Sequence, residues 1–226
     1  LITLSARTAR WTLAVLVVVA ALTAALVVAL RDASHSSTTE PPTSAPIGPA
    51  REHRDADTAA ALAGPRQRAD LAPCPRPSGQ PGPVALRGVT VDCAADGSVV
   101  DVGPALAGHR VVLNMWAYWC APCAAELPAM AEYQRRVGSD VIVVTVHQDE
   151  NETAALLRLA ELGVRLPTLQ DGGRRVAAAL HVPNVMPATV VLDSNGSVAK
   201  TLPRAFATAD EISDAVGQLD ARRGRR

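Results

Sequence analysis

Apolar and polar positions fall into three regimes along the chain. Residues 11–30 are a run of 20 without a charged side chain, interrupted only by Thr12 and Thr23. At about 1.5 Å per residue, a helix of that length spans about 30 Å, the hydrocarbon thickness of a bilayer. From residue 31 to residue 83 the pattern dissolves into Ser, Thr, Pro, Ala and scattered charge, with ten of the 17 prolines between Pro41 and Pro83. Such a segment buries too little apolar surface to offset its ordering entropy and is read as an extended tether. A short helix within 52–63 would have little to pack on.

Regular patterning returns at residue 84. Residues 84–92 and 98–102 alternate around Ala95-Asp96-Gly97, as in a hairpin. A buried strand is predicted over 110–116. The helix after it, over 124–137, has Pro122 in its first turn, where the missing N–H is harmless, and Pro128 further in, where a kink is expected. Residues 140–146 are a β-branched run of central-strand type. Helical periodicity over 152–162 stops at Gly163, and 173–180 is another short helix. Strands over 188–192 and 197–202 flank the turn Asp193-Ser194-Asn195-Gly196. A terminal helix over 208–219 starts at Thr208. The order is a leading hairpin, then β-α-β-α-β-β-α, an α/β domain over 84–220 with a basic tail at 221–226 and no internal repeat.

Charge changes the picture in two places. Overall it balances, 22 basic against 22 acidic residues, which gives no electrostatic case for nucleic acid. Around the apolar run it does not: Arg7 and Arg10 precede it, and Asp32 and Glu40 are among the charges that follow. Basic flanks stay in the cytoplasm, so residues 1–10 are expected inside and the rest of the chain outside a bacterial membrane. A cleaved signal peptide would have a shorter apolar region and a small-x-small site, which 28–31 does not offer.

The chemistry centres on Trp119-Cys120-Ala121-Pro122-Cys123. Two cysteines spaced by two residues close a small disulfide ring or open to a dithiol. At a strand-to-helix junction the first sulfur meets free amide N–H groups and the positive end of the helix dipole, both of which favour a thiolate. A thiolate, not a thiol, attacks a disulfide, so the pattern reads as a thiol–disulfide exchange site. Three of only six aromatic residues, Trp116, Tyr118 and Trp119, crowd against it, suggesting an apolar rim beside a reactive group.

Asn114 to Cys123, the Glu126-Leu127-Pro128 that follows, and the distant Met186-Pro187 before a strand together resemble the thioredoxin superfamily. More narrowly they resemble its membrane-anchored extracytoplasmic TlpA/ResA group, over residues 84–219 plus a single N-terminal anchor. The resemblance implies a thioredoxin-like fold, a central mixed sheet flanked by helices with an N-terminal hairpin extension. It implies that Cys120 is the exposed nucleophile and that Cys123, one turn in, resolves the mixed disulfide. Asn114 stands where many thioredoxins have a buried Asp, and Glu126 resembles the group's substitute acid–base residue; an ordinary surface Glu is the alternative. Pro187 matches the superfamily's cis-proline, with Trp119, Pro122 and Met186 around it as substrate contacts.

The implied activity is disulfide exchange with extracytoplasmic protein substrates, in the reducing direction, with apocytochrome c cysteines among the substrates. A membrane electron donor is implied as a partner. No cofactor is implied beyond the Cys120–Cys123 disulfide, and no metal. A disulfide-forming oxidase and a copper-handling protein using the same cysteines are the alternatives. Cys74 and Cys93 form a second pair, expected as a structural disulfide in an oxidising compartment, with an electron relay to Cys120 and Cys123 as the other reading. The five histidines, His35, His53, His109, His147 and His181, show no ligand spacing; His147, at the end of a central strand, is within possible reach of the site but reads as a satisfied strand-end histidine.

Overall fold

A computed structural model of the protein describes residues 57–80 and 82–223. Helix α1 (Ala59–Ala69) leads to a 3-10 turn at Val84–Leu86 and a hairpin of β1 (Thr90–Cys93) and β2 (Val99–Asp101). Then come α2 (Val102–Ala105), β3 (Val111–Trp116), α3 (Ala121–Val137), β4 (Ile142–His147) and α4 (Glu152–Leu162). The chain closes with β5 (Thr168–Gln170), α5 (Arg175–Ala179), β6 (Ala188–Leu192), β7 (Val198–Leu202) and α6 (Ala209–Arg223). One sheet takes all seven strands in the order β2-β1-β5-β4-β3-β6-β7. Strands β3, β4 and β5 run parallel and the outer pairings are antiparallel, so the expected mixed sheet of a thioredoxin-like fold is present.

Every residue of β3 is buried, as a strand covered on both faces requires. Period-two alternation then sorts its side chains. Val112 and Trp116 join a core with α3, α4 and the terminal helix, through Leu127, Met130, Leu159, Ile212 and Val216. Val111, Leu113 and Met115 join the opposite core, with Leu86, Cys93, Val102, Val176 and Leu180. Register places Asn114, Thr145, His147 and Thr189 on the first face, along with Thr168 and Gln170. The buried polar residues of the central strands are thus all on one side.

Local chemistry accounts for the helix ends. Asn151 accepts from the Ala154 N–H at 2.9 Å to start α4, and Gly163, at φ 64°, ends it in the left-handed conformation that glycine adopts without strain. Asp171 accepts from the Arg175 and Val176 N–H groups at 2.8 and 2.9 Å to start α5.

Four expectations need correction. The tether read over 31–83 is not extended to its end: α1 is a helix with Leu62, Pro65 and Ala69 buried, packed on Leu156 of α4 and Ala94. It runs through Gly64-Pro65, and the proline is buried. The hairpin is shorter than expected, since Val84–Leu86 forms a 3-10 turn and pairing starts at Thr90. Helix α3 starts at Ala121, three residues early, because Cys120 caps it. Strand β5 was not expected at all; at three residues it is too short for periodicity to register.

The apolar run at 11–30 lies outside the described residues, among which no helix is long and apolar enough to cross a membrane.

Candidate redox site

Strand β3 ends at Trp116, and a turn closed by the Cys120 N–H to the Ala117 carbonyl, 3.0 Å, leads into α3. Cys120 is the N-cap residue, and its Sγ accepts from the Cys123 N–H at 3.3 Å. The first sulfur therefore lies where the helix presents unpaired N–H groups and its positive dipole end. Cys120 and Cys123 are disulfide-bonded. The nucleophile expected to be exposed is only 5% exposed in this closed form, and Cys123 is fully buried. Both belong to the apolar cluster of Trp116, Ala117 and Leu127, which covers the ring. Pro122 is exposed in the helix's first turn.

The Met186–Pro187 bond is cis and Pro187 is buried. Ala188 pairs with Met115, so Pro187 falls at the level where β3 gives way to the cysteine loop. Half-buried Met186 packs against the cluster that holds both cysteines. Trp119 is 58% exposed, and its Nε1–H donates to Asp149 Oδ2 at 2.9 Å. The aromatic rim expected from sequence thus divides: Trp116 is core, half-buried Tyr118 is intermediate and Trp119 is the surface.

Glu126 is not a surface residue. It has no exposed area and lies one helical turn beyond Cys123. Its Oε2 accepts from Asn114 Nδ2 at 2.8 Å and its Oε1 from the Phe206 N–H at 3.0 Å. Burial outweighs both hydrogen bonds and the nearby Arg204 guanidinium, so its pKa rises from 4.5 to about 7. A carboxyl poised near neutrality can take or give a proton at ordinary pH. Phe206 was not foreseen; it acts through its backbone, which leaves no mark on residue type.

His147 is fully buried, its ring tilted 55° against Trp116 with the centroids 4.9 Å apart, and burial lowers its pKa to about 4. Both of its ring nitrogens are engaged, by the Tyr118 N–H and by Gln170. It is therefore not free to join the cysteines around a metal, and among the described residues no cluster of His, Cys, Asp and Glu is arranged to hold one.

Cys74 and Cys93 form the second disulfide, and the Cys74 sulfur lies 3.4 Å from the Thr168 carbonyl. Cys93 is in β1, three strand spacings or about 14 Å laterally from β3, and in the opposite core. The two sulfur pairs therefore lie in opposite cores, with the sheet between them. A cleft of about 400 Å³ near Asp57, Asp92 and Glu150 lies apart from the cysteines. Carboxylates in its lining have structural partners, among them Glu152, which pairs with Arg66 at 2.9 Å, and Asp171, which caps α5. Burial raises the pKa of both.

Comparison with known proteins agrees with this geometry. The thiol-disulfide oxidoreductase ResA of Bacillus subtilis is 34% identical over 98 residues, which is 43% of this chain and 54% of that protein. The chain thus matches about half the length of such relatives. Among solved structures, dsbF of MTB, in mixed oxidized and reduced forms, aligns with a TM-score of 0.54 at 25% identity, covering 61% of this chain and 98% of that one. A secreted thiol-disulfide isomerase from Corynebacterium glutamicum aligns with a TM-score of 0.50 at 26% identity, over 60% of this chain and 85% of its own. The resemblance to the ResA group within the thioredoxin superfamily therefore holds in both sequence and fold. The match to the Redoxin family runs from residue 77 to residue 219, most of the chain, and the protein belongs to that family.

Proposed function

We propose that this protein is a thiol–disulfide oxidoreductase that reduces disulfides of extracytoplasmic protein substrates. The observation that carries the reading is a closed Cys120–Cys123 pair at the N-terminus of α3, with buried Glu126 one turn further on. In the reduced protein, the Cys120 thiolate attacks one sulfur of a substrate disulfide. That bond breaks, a mixed disulfide forms, and the leaving substrate thiolate takes up a proton. Cys123, its proton passed to Glu126, then attacks the Cys120 sulfur. The second substrate thiol leaves, the ring closes, and two electrons have moved from the protein to the substrate. Both electrons come from the two sulfurs, and Glu126 handles only the proton.

Trp119, Pro122 and Met186 form the contact surface for an incoming extended segment, and the Met186 backbone ahead of cis-Pro187 offers a strand partner. Residues 11–30 act as the membrane anchor, with the domain outside and a membrane electron donor restoring the dithiol. Apocytochrome c cysteines awaiting haem are the substrate class that the family resemblance favours.

The reduction potential of the Cys120–Cys123 couple, titrated against glutathione, tests the direction. A value below about −200 mV supports a reductant, and one near −120 mV would make the protein an oxidant.

A further inference from the structure

Two adjacent residues, Tyr118 and Trp119, immediately precede Cys120, and both are tied to the same distant group of side chains. The Tyr118 N–H donates to His147 Nε2 at 3.3 Å. A backbone N–H can only donate, so Nε2 is the acceptor and the neutral ring carries its proton on Nδ1. Nδ1 faces Gln170 Oε1 at 2.8 Å and donates to it. The Gln170 amide then donates to the Asp149 carbonyl at 2.6 Å, and the Asp149 carboxylate receives the Trp119 indole N–H at 2.9 Å. Its other oxygen accepts from the Asn151 N–H at 2.9 Å, which fixes Asp149 to the start of α4. Each donor meets one acceptor, and the path returns to the residue beside its origin.

The ring has a rigid base and an open top. His147 is fully buried at the end of β4, and Gln170 is its register partner on β5. Trp119 projects into solvent with 58% of its area exposed. A large exposed aromatic side chain normally loses rotamer freedom when a partner lands on it. Here that freedom is already restricted, a condition that favours binding.

Resting on the exchange activity proposed above, we infer that His147, Gln170 and Asp149 are positioning residues that hold the Trp119 indole as a fixed platform for polypeptide disulfides. They set the preference for a folded or extended protein segment over a small disulfide, which reaches the sulfurs without touching the indole.

The test uses the full chain in mild detergent, reduced, freed of reductant and mixed with insulin or with 5,5′-dithiobis(2-nitrobenzoate). Single-turnover rates against concentration give a limiting rate and a half-saturating concentration for each. His147→Leu should raise the half-saturating concentration for insulin about tenfold, the worth of one net hydrogen bond. Its effect on the small disulfide should be several-fold smaller. His147→Gln, whose side chain can accept at the same place, should recover most of the loss. In a Trp119→Ala background, His147→Leu should add nothing further. Equal losses on both disulfides, a change confined to the limiting rate, no change, or additive losses in the double variant would each overturn the proposal. If His147→Leu loses its far-ultraviolet dichroism, Gln170→Leu breaks the same ring at a half-buried position and is read against the same outcomes. A wild-type chain inert toward both disulfides would instead overturn the exchange reading.

Discussion

The two faces of the sheet hold one disulfide each, and they differ in everything except that bond. On the face of α3, the Cys120–Cys123 ring shares its core with Glu126, Asn114 and His147, all fully buried and all hydrogen-bonded. On the other face, Cys74–Cys93 packs with Leu86, Val91, Val102, Leu106 and Leu169. Polar burial is costly and must be matched by partners, whereas apolar burial is favourable without them. On the proposed reading, one face accepts that cost where protons have to move, and the other uses its sulfur bridge to hold chain segments together. Sulfur chemistry in this protein is assigned by surroundings rather than by cysteine content.

The largest effect should come from exchanging the roles. Cys120→Ser should lower protein-disulfide turnover by at least about a thousandfold, because the attacking thiolate is gone. Cys123→Ser should instead trap a substrate adduct on Cys120, identified by mass spectrometry; an adduct on Cys74 or Cys93 would erase the distinction between the faces.

Replacing both Cys74 and Cys93 by Ser should cost about 3 kcal/mol of stability on the loop-entropy account. Turnover at 25 °C should persist. Urea melts and single-turnover rates, measured on the same preparation, check the two halves together. A loss of turnover without a loss of stability would make the second bridge a participant.

Glu126 sharpens the contrast through pH. Its folded pKa, about 7, lies above its ordinary 4.5, so the folded state binds the proton more tightly than the unfolded chain. The folded domain is therefore favoured at low pH, and that advantage fades as pH rises from about 4.5 to about 7, by on the order of 3 kcal/mol. Glu126→Gln should flatten this part of the stability–pH curve. It should also remove an inflection near neutrality from the alkylation rate of the thiols and slow release of the mixed disulfide. The thiols and the carboxyl titrate as a linked set, so the whole profile from pH 5 to 10 is the proper readout. Superimposable profiles and curves for the two proteins would reduce Glu126 to packing.

The smallest effect concerns the segment ahead of the domain. Asp57 accepts from the Glu152 and Thr153 N–H groups at 2.7 and 3.2 Å, a second cap on α4. Asp57→Ala should cost about 1 kcal/mol and leave exchange rates alone. Faster reduction of Cys74–Cys93 in that variant, followed by thiol labelling, would tie α1 docking to protection of the bridge.

What could be read from residue order, and what could not, follows the same physics. Strands β3, β4 and β6 and helix α4 announced themselves because their own periodicity decides which side is buried. The cysteine motif announced itself because its spacing has few other uses. Helix α1 was hidden because its stability comes from α4, nearly 90 residues away in sequence, as the Arg66–Glu152 pair shows with its separation of 86. The burial of Glu126 was hidden for a related reason: half of its hydrogen bonding comes from the Phe206 amide. His147 looked like a satisfied strand-end histidine, and it is satisfied, but by groups that also hold the loop before Cys120.

The contact between Glu126 and the Phe206 amide spans 80 residues, and this has a consequence for synthesis on the ribosome. Chains emerge from the N-terminus, and segments fold as their partners become available. Both cysteines leave the ribosome well before the segment that completes the cage around the carboxylate. Until Phe206 arrives, Glu126 has water for company and the ionisation of any surface glutamate. The nascent protein therefore carries a dithiol before it carries the matched acid. On the proposed mechanism, its proton chemistry switches on late, when the segment ahead of the last helix closes over the carboxyl group.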